Sequence, residues 1–154
     1  MYYYSYQTPL GEIHIAEKNN FIVKIKYEIN VGGMKKKETP LIKETFLQLT
    51  EYFDGKRKTF DTPIKTTGTV FQQQVWEALQ MIPYGEVWSY KRLAETAGSP
   101  KGYRAVGMAN NRNPISIIVP CHRVVGINGD LIGYAGGIEK KCFLLNLEKM
   151  FLNP

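Results

Sequence analysis

The sequence predicts an α+β protein, in which a small antiparallel sheet with one helix comes first and a mainly helical part follows. Two observations support this fold class. Apolar side chains recur at every second position in residues 21–29, as in a half-buried strand, whereas later segments repeat them with the helical period and begin with capping residues. Between these parts, residues 54–68 have turn chemistry and no strong period. We therefore predict two domains, residues 1–62 and 63–154.

The first domain is predicted to contain a β-hairpin, a loop and a helix. The strands are "EIHIAE" and "FIVKIKYEI", and Asn19-Asn20 between them suit the positive φ angles of a tight turn. One face of the second strand would carry Phe21, Val23, Ile25, Tyr27 and Ile29. Glycines and a lysine run then predict a loop. A helix should follow, with Thr39 as its N-cap, Pro40 at its first position and Gly55 just beyond its end.

The second domain is predicted to contain a helix-turn-helix. Thr69 and Gln72 have the spacing of a capping box and begin one helix, and Ser89 caps a shorter one that ends at Gly98. A further helix is predicted to begin directly at Ser99-Pro100 and to end near Asn113, because the next residue is a proline. Two short helices joined by about three residues including glycine are typical of a helix-turn-helix. A buried strand, "ISIIVP", and a last helix, 138–151, complete the chain.

Composition excludes several classes of protein. No apolar run of eighteen residues occurs, which argues against a transmembrane helix, and the first residues lack the pattern of a signal peptide. The two cysteines lie far apart, no CxxC pair exists and only two histidines occur, so neither a disulfide nor a structural zinc site is expected. We expect an intracellular, cytoplasmic protein without a membrane association.

The net charge of +6 is concentrated in one segment. Residues 91–123 contain six basic side chains and a single acidic one, Glu95. The basic residues are Lys91, Arg92, Lys101, Arg104, Arg112 and Arg123. Such an excess fits a polyanion-binding surface, but the charge alone favours the alternative interpretation, a solvated basic face.

The stretch "PCHR" offers the chemistry of an activated thiol. His122 follows Cys121 directly, and an imidazole can remove a thiol proton either by contact or through a water molecule. Glu148 on the last helix could orient that imidazole. Each residue also has an ordinary structural interpretation: Cys121 as a small buried apolar side chain, and Glu148 as a solvent-facing residue of an amphipathic helix.

Several blocks together resemble the O6-alkylguanine-DNA alkyltransferase family. They are "PYGEVWSY", "RAVG", "NP", "IVPCHRVV" and "GYAGG", in this order, and the resemblance covers about residues 69–150. The first part is similar only in arrangement, with "TPLGEI" leading into paired strands and a helix. The resemblance implies an RNase H-like support domain followed by a winged helix-turn-helix alkyltransferase domain.

The resemblance implies a repair reaction that each protein molecule performs once. Cys121 would accept the alkyl group from guanine O6, His122 would deprotonate it through a water molecule, and Glu148 would orient His122. Asn113 matches the family's hinge asparagine at the end of the recognition helix. Tyr90 matches the tyrosine that donates a proton to the leaving guanine.

The same resemblance implies double-stranded DNA carrying O6-alkylguanine as the partner. Arg104 matches the arginine that fills the gap left by the flipped nucleotide, and the remaining DNA contacts would come from Lys91, Arg92, Lys101, Gly102 and Ala105. The substrate pocket would be lined by Tyr90, Val125, Tyr134, Ala135 and Met108. Tyr103 is bulky for a helix in the minor groove, so we expect it to face the core. No cofactor is implied, and no metal is expected because the first domain lacks the additional cysteines and histidines of zinc-binding members. We expect a monomer, with cooperativity on DNA left open.

Two other functions compete with this one. The first is a non-enzymatic alkylation-damage sensor of the alkyltransferase-like type, which would carry tryptophan where this chain has Cys121. The second is a helix-turn-helix regulator, which would recognise a particular DNA sequence rather than a lesion.

Overall fold

A computed structural model describes residues 1–153 and confirms the predicted α+β fold class. The chain divides into two compact units, the first covering Met1–Thr66 and the second beginning at Thr67. Residues 63–65 belong to the first unit, since the Ile22 N–H donates to the Pro63 carbonyl and the Lys65 N–H to the Ile22 carbonyl. The division therefore lies slightly beyond the predicted position.

The first unit contains a four-stranded sheet. Its strands are β1 (Tyr2–Thr8), β2 (Gly11–Lys18), β3 (Phe21–Lys26) and the two-residue β4 (Lys35–Lys36), in the spatial order β3-β2-β1-β4. Neighbouring pairs are antiparallel except β1 and β4, which are parallel. The loop prediction missed β4, because lysines at a sheet edge have no apolar periodicity.

The hairpin between β2 and β3 was predicted correctly, but the face of β3 was not. Asn19 and Asn20 have φ angles of 53° and 66°. However, the register shifts between Ala16 and Glu17, and this bulge interrupts the alternation of β3. As a result Ile22 is buried and Phe21 is exposed, and the strand ends at Lys26 rather than near Ile29.

Helix α1 (Pro40–Phe53) lies against the sheet and has the predicted ends. The Thr39 hydroxyl accepts a hydrogen bond from the Ile42 N–H, and Gly55 follows the helix with a φ angle of +75°. Burial of Ile42, Leu49 and Tyr52 forms the helix side of the core.

The second unit is mainly helical. It consists of α2 (Val70–Leu79), α3 (Tyr90–Thr96), α4 (Tyr103–Asn111) and α5 (Ile138–Phe151), with two short parallel strands, β5 (Trp88–Ser89) and β6 (Val124–Val125). Both bonds of the predicted Thr69–Gln72 capping box are present, and Ser89 caps α3. No helix in residues 1–153 is long and apolar enough to span a membrane.

Helix α4 begins later than predicted. Its N-cap is Gly102 rather than Ser99, because a hydrogen bond from the Gly102 N–H to the Ser99 carbonyl closes a turn before the helix starts. The connection from α3 therefore comprises residues 97–102 instead of about three residues. Helices α3 and α4 still pack against each other, and both contact α2.

Candidate active site

Cys121, His122 and Arg123 form a single buried turn of 3-10 helix in the second unit. All three residues are buried, with Cys121 only 4% exposed and His122 fully covered. In an extended chain, consecutive side chains would point to opposite faces. The turn allows three neighbouring polar side chains to enter one interior region, which is packed against α2 and α5.

Asn113 shapes the segment that leads into this turn. Its Nδ2 donates to the Val119 carbonyl at 2.7 Å, and its Oδ1 accepts from the Ile115 N–H at 3.0 Å. The predicted strand "ISIIVP" is therefore wrong: residues 115–119 form a compact buried turn, in which Ile117 has a φ angle of 74°. A short apolar run does not distinguish a buried strand from such a turn. The Cys121 N–H in turn donates to the Val119 carbonyl at 2.8 Å.

His122 and Glu148 form the predicted imidazole–carboxylate pair. The distance from His122 Nε2 to Glu148 Oε2 is 2.7 Å. Burial lowers the pKa of His122 below its ordinary value, although Glu148 acts in the opposite direction. The other ring nitrogen, Nδ1, is buried and has no hydrogen-bond partner among the atoms of residues 1–153. The neutral imidazole thus donates through Nε2 and keeps a lone pair on Nδ1.

Glu148 is buried rather than solvent-facing, and four hydrogen bonds stabilise its charge. Besides His122, Arg123 donates from Nε at 2.8 Å and from Nη2 at 3.0 Å, and the Gly85 N–H donates at 3.2 Å. These bonds and the Arg123 charge hold the pKa of Glu148 well below its ordinary value, even though burial alone would raise it. Gly85 is required at this point, because its φ angle is +81° and a Cβ atom would lie 2.5 Å from Leu152.

Arg123 belongs to the site, although the sequence pattern indicated only that it is part of the basic segment. It is buried, and its Nη1 donates to the Ile82 carbonyl at 2.7 Å. Its guanidinium carbon lies 5.7 Å from the centre of the Tyr84 ring. The one sequence signal was its position next to Cys-His, since a charged residue inside an apolar segment requires a partner.

Tyr90 and Lys141 donate to the same acceptor, the Ile132 carbonyl. The Tyr90 hydroxyl lies 3.2 Å from this oxygen and the Lys141 Nζ 2.7 Å. Burial raises the pKa of Tyr90, and the Cys121 charge raises it further. Lys141 has no local sequence signal that marks it as a buried residue, because lysines near a helix start are usually exposed.

The residues predicted to line the pocket have different environments. Val125 and Tyr134 are buried, whereas Ala135 is exposed. Met108 is also exposed and borders a groove of about 180 Å³ between α2 and α4. The other residues along this groove are Thr69, Phe71, Gln72, Ala105, Ala109 and Arg112.

The predicted DNA-binding residues lie on the surface of the second unit. Those exposed to solvent are Lys91, Arg92, Lys101, Arg104 and Ala105, while Gly102 is half-buried. The Arg92 guanidinium carbon is 4.4 Å from the centre of the Trp88 ring. Tyr103 is 47% exposed, so the expectation that it faces the core is wrong. Tyr103 is the first residue of α4 and precedes the first buried position of this helix, Val106.

The arrangement defines a class of protein in which a buried thiol lies next to a histidine–carboxylate pair, in a helical unit with an exposed basic surface. Within residues 1–153 no group of three or more histidine, cysteine or acidic side chains is suited to hold a metal ion. The sequence matches the families described as "6-O-methylguanine DNA methyltransferase, ribonuclease-like domain" over residues 1–66 and "6-O-methylguanine DNA methyltransferase, DNA binding domain" over residues 70–150. The chain belongs to the 6-O-methylguanine DNA methyltransferase family.

Full-length relatives support this membership. The constitutive methylated-DNA–protein-cysteine methyltransferase of Bacillus subtilis is 49% identical, and the match covers 97% of this chain and 96% of the relative. A methylated-DNA–protein-cysteine methyltransferase of Methanosarcina acetivorans is 47% identical over 96% of this chain and 98% of its own length. Among solved structures, Mycobacterium tuberculosis OGT in complex with DNA has a TM-score of 0.93 and 40% identity, covering 98% of this chain and 94% of that one.

Proposed function

We propose that this protein repairs O6-alkylguanine in double-stranded DNA by transferring the alkyl group irreversibly to its own Cys121. The observation that carries the proposal is the buried His122–Glu148 pair, with a nitrogen–oxygen distance of 2.7 Å, next to the buried Cys121 in one turn. The names of the relatives agree with this activity, in which a cysteine of the protein is the acceptor.

His122 is the base, and Nδ1 is the atom that accepts the proton. Nε2 is engaged with Glu148, so the lone pair on Nδ1 remains for the Cys121 proton, received through a bridging water. The lowered pKa of His122 keeps the imidazole neutral at pH 7, which is the form required of a base. Glu148 fixes the tautomer and stabilises the imidazolium that forms.

The transfer itself is a displacement at the alkyl carbon. The Cys121 sulfur forms a bond to this carbon while the bond from the carbon to guanine O6 breaks, and the electron pair of that bond leaves with the guanine. Tyr90 donates a proton to the guanine, and His122 has accepted one from the thiol. The number of protons given up by the thiol and Tyr90 therefore equals the number gained by His122 and the guanine. The product is a stable thioether. Because the reaction contains no step that regenerates the thiol, each protein molecule reacts once.

DNA binding is assigned to α3, α4 and the connection between them. A thiol buried in the protein cannot reach O6 inside a duplex, so the nucleotide must be flipped out. Arg104 on α4 is exposed and would fill the gap in the base stack. Small residues at Gly102 and Ala105 allow α4 to approach the minor groove. Lys91, Arg92 and Lys101 would bind phosphates without sequence preference.

Asn113 links DNA binding to the reaction. It follows the last turn of α4 directly, and its side chain fixes the turn that precedes Cys121. The alkylguanine would then lie among Tyr90, Val125, Tyr134 and Ala135, with Met108 at the edge of α4. Ala135 has no hydroxyl to offer to O6, so backbone donors would take this role.

The remaining assignments follow from the same chemistry. Neither Cys121 nor Cys142 forms a disulfide, and a reducing compartment such as the cytoplasm would keep Cys121 reactive. We propose that one molecule acts on one lesion as a monomer, without a cofactor. The damage-sensor alternative is not favoured, because Cys121 is retained and the full-length relatives are named as methyltransferases.

Mass spectrometry tests the proposal directly. The protein is incubated with a duplex carrying one O6-methylguanine, and intact and peptide spectra are recorded. We expect one added methyl group, located on Cys121, in the wild type and in a Cys142→Ser control, and none in Cys121→Ser. Wild-type protein that gains no methyl group on Cys121 would overturn the proposed function.

A further inference from the structure

Lys141 occupies an unfavourable position that local structure does not explain. It is buried, and it lies in the first turn of α5, where the helix dipole disfavours positive charge. Removing an ammonium group from water adds a second cost. Within residues 1–153 it forms no ion pair with a carboxylate, and its hydrogen bond is to the neutral Ile132 carbonyl. A residue whose position carries both of these energetic costs is expected to have a functional role.

The groups near Lys141 belong to the active site. The charge of an ionised Cys121 raises the pKa of Lys141, but burial has the larger effect and lowers it to about 8. Lys141 in turn lowers the pKa of His122. Tyr90 shares the Ile132 carbonyl with it. Glu139, the acidic residue of α5 closest to Lys141 in sequence, is exposed to solvent.

At rest the site contains one more positive than negative charge, and ionisation of Cys121 places an anion in the same site. Arg123 and Glu148 cancel each other through their paired hydrogen bonds. His122 is neutral at rest, because its pKa is lowered. This leaves the Lys141 ammonium as the buried charge without a matching anion. Since the coupling between two sites is reciprocal, a thiolate that favours the ammonium is favoured by it to the same extent.

We propose that Lys141 is a positioning residue whose ammonium group is the counter-charge of the Cys121 thiolate. The thiol proton passes to His122, no bond to Lys141 forms or breaks, and Lys141 keeps its protons throughout. Its hydrogen bond also keeps the Ile132 carbonyl satisfied when the Tyr90 hydroxyl turns towards the guanine. The role of Tyr90 rests on the proposed function, whereas the pairing of ammonium and thiolate is independent of DNA.

The pH dependence of Cys121 reactivity tests the proposal. Iodoacetamide alkylates the thiolate by displacing iodide, and peptide mass spectra separate Cys121 from Cys142. In Lys141→Met, the midpoint of the rate-against-pH curve should rise by about one pH unit, which makes the reaction roughly tenfold slower at pH values below both midpoints, while the limiting rate at high pH stays unchanged. Lys149→Met removes an exposed charge from the same helix and should keep the wild-type midpoint. A folded Lys141→Met protein with the wild-type midpoint would overturn the proposal.

A second measurement does not depend on how Lys141→Met folds. The ionisation of the Lys141 side chain is followed by NMR in the wild type and in Cys121→Ser, in which the hydroxyl cannot supply the negative charge. Lys141 should titrate at a lower pH in Cys121→Ser, and an identical titration in both proteins would refute the counter-charge. Neither experiment contains DNA. If the wild type accepted no methyl group from DNA, the proposed function would fail while the Lys141–Cys121 coupling could still be observed.

Discussion

Arg123 and Glu148 form a two-point ion pair in the interior of the second unit, with distances of 2.8 Å from Nε to Oε1 and 3.0 Å from Nη2 to Oε2. This pair determines what Glu148 can do for His122. Because Arg123 keeps the carboxylate ionised, Glu148 orients the imidazole and does not take its proton. Arg123 also joins the site to the turn that follows α2, since its third nitrogen donates to the Ile82 carbonyl.

Removing Arg123 should destabilise the protein strongly. In Arg123→Met the Glu148 carboxylate stays buried while losing its charged partner, and breaking a buried pair in this way costs roughly 3–5 kcal/mol. The free energy of unfolding is measured by urea denaturation at pH 7. Arg112→Met, which removes an exposed arginine from the same basic segment, serves as the control. Equal stability of the two variants would show that the pair contributes little.

Local features of this structure could be predicted from the sequence, because neighbouring residues determine them. The caps at Thr39, Thr69 and Ser89 depend on one side chain and the backbone N–H groups that follow it. The Asn19-Asn20 turn likewise depends on residues that tolerate positive φ angles. The Cys121–His122–Glu148 grouping was predicted from the residues only as one alternative, and the family resemblance favoured it.

Features that depend on tertiary contacts could not be predicted from local patterns. The strand expected at residues 115–119 is a turn, because the Asn113 side chain supplies the hydrogen bonds that a neighbouring strand would give. Glu148 looks like a surface residue on its helix, since His122 and Arg123 are more than twenty residues away in sequence. Lys141 was missed for the same reason: a charged residue is expected to be exposed unless its buried partners are known.

Glu148→Gln should slow alkyl transfer without changing the size of the side chain at this position. The amide has the size of the carboxylate, but it can neither stabilise the imidazolium nor fix the tautomer by charge. We expect a decrease of about 100-fold in the single-turnover rate with O6-methylguanine DNA, which is the lower end of general-base contributions. Glu139→Gln changes an exposed acid on the same helix and should react like the wild type. A rate in Glu148→Gln equal to that of Glu139→Gln would exclude the orienting role.

Stability should fall as the pH falls below neutrality, and His122 should cause the first part of this loss. The folded protein holds the pKa of His122 below its ordinary value of 6.5, so the unfolded chain binds the proton first. The stability that neutral His122 contributes is present above pH 6.5 and decreases below it. Glu148 acts similarly at lower pH, since its pKa is depressed from 4.5. Urea denaturation at pH 8 and pH 5.5 measures the first step.

The histidine variants provide the control for this pH effect. His122→Gln should lose most of the difference in unfolding free energy between pH 8 and pH 5.5. His14→Gln alters the other histidine of the chain and should retain it. If His122→Gln kept the full difference, another group would have to be responsible.

Replacing Arg104 by alanine should affect the repair rate, whereas replacing Arg92 by alanine should affect the affinity for DNA. If Arg104 fills the gap in the base stack, the Arg104→Ala protein should repair duplex DNA more slowly at saturating protein. It should react at a near-normal rate with free O6-benzylguanine, which needs no flipping. If Arg92 binds a phosphate, Arg92→Ala should weaken binding to any duplex and reduce the slope of log affinity against log salt by about 1. Single-turnover rates on both substrates and salt titrations of DNA binding separate these effects. A residue that acts only in nucleotide flipping is not needed for a free base. If Arg104→Ala slowed the reactions with duplex DNA and with O6-benzylguanine equally, Arg104 would therefore contribute to the structure of the pocket and not to flipping.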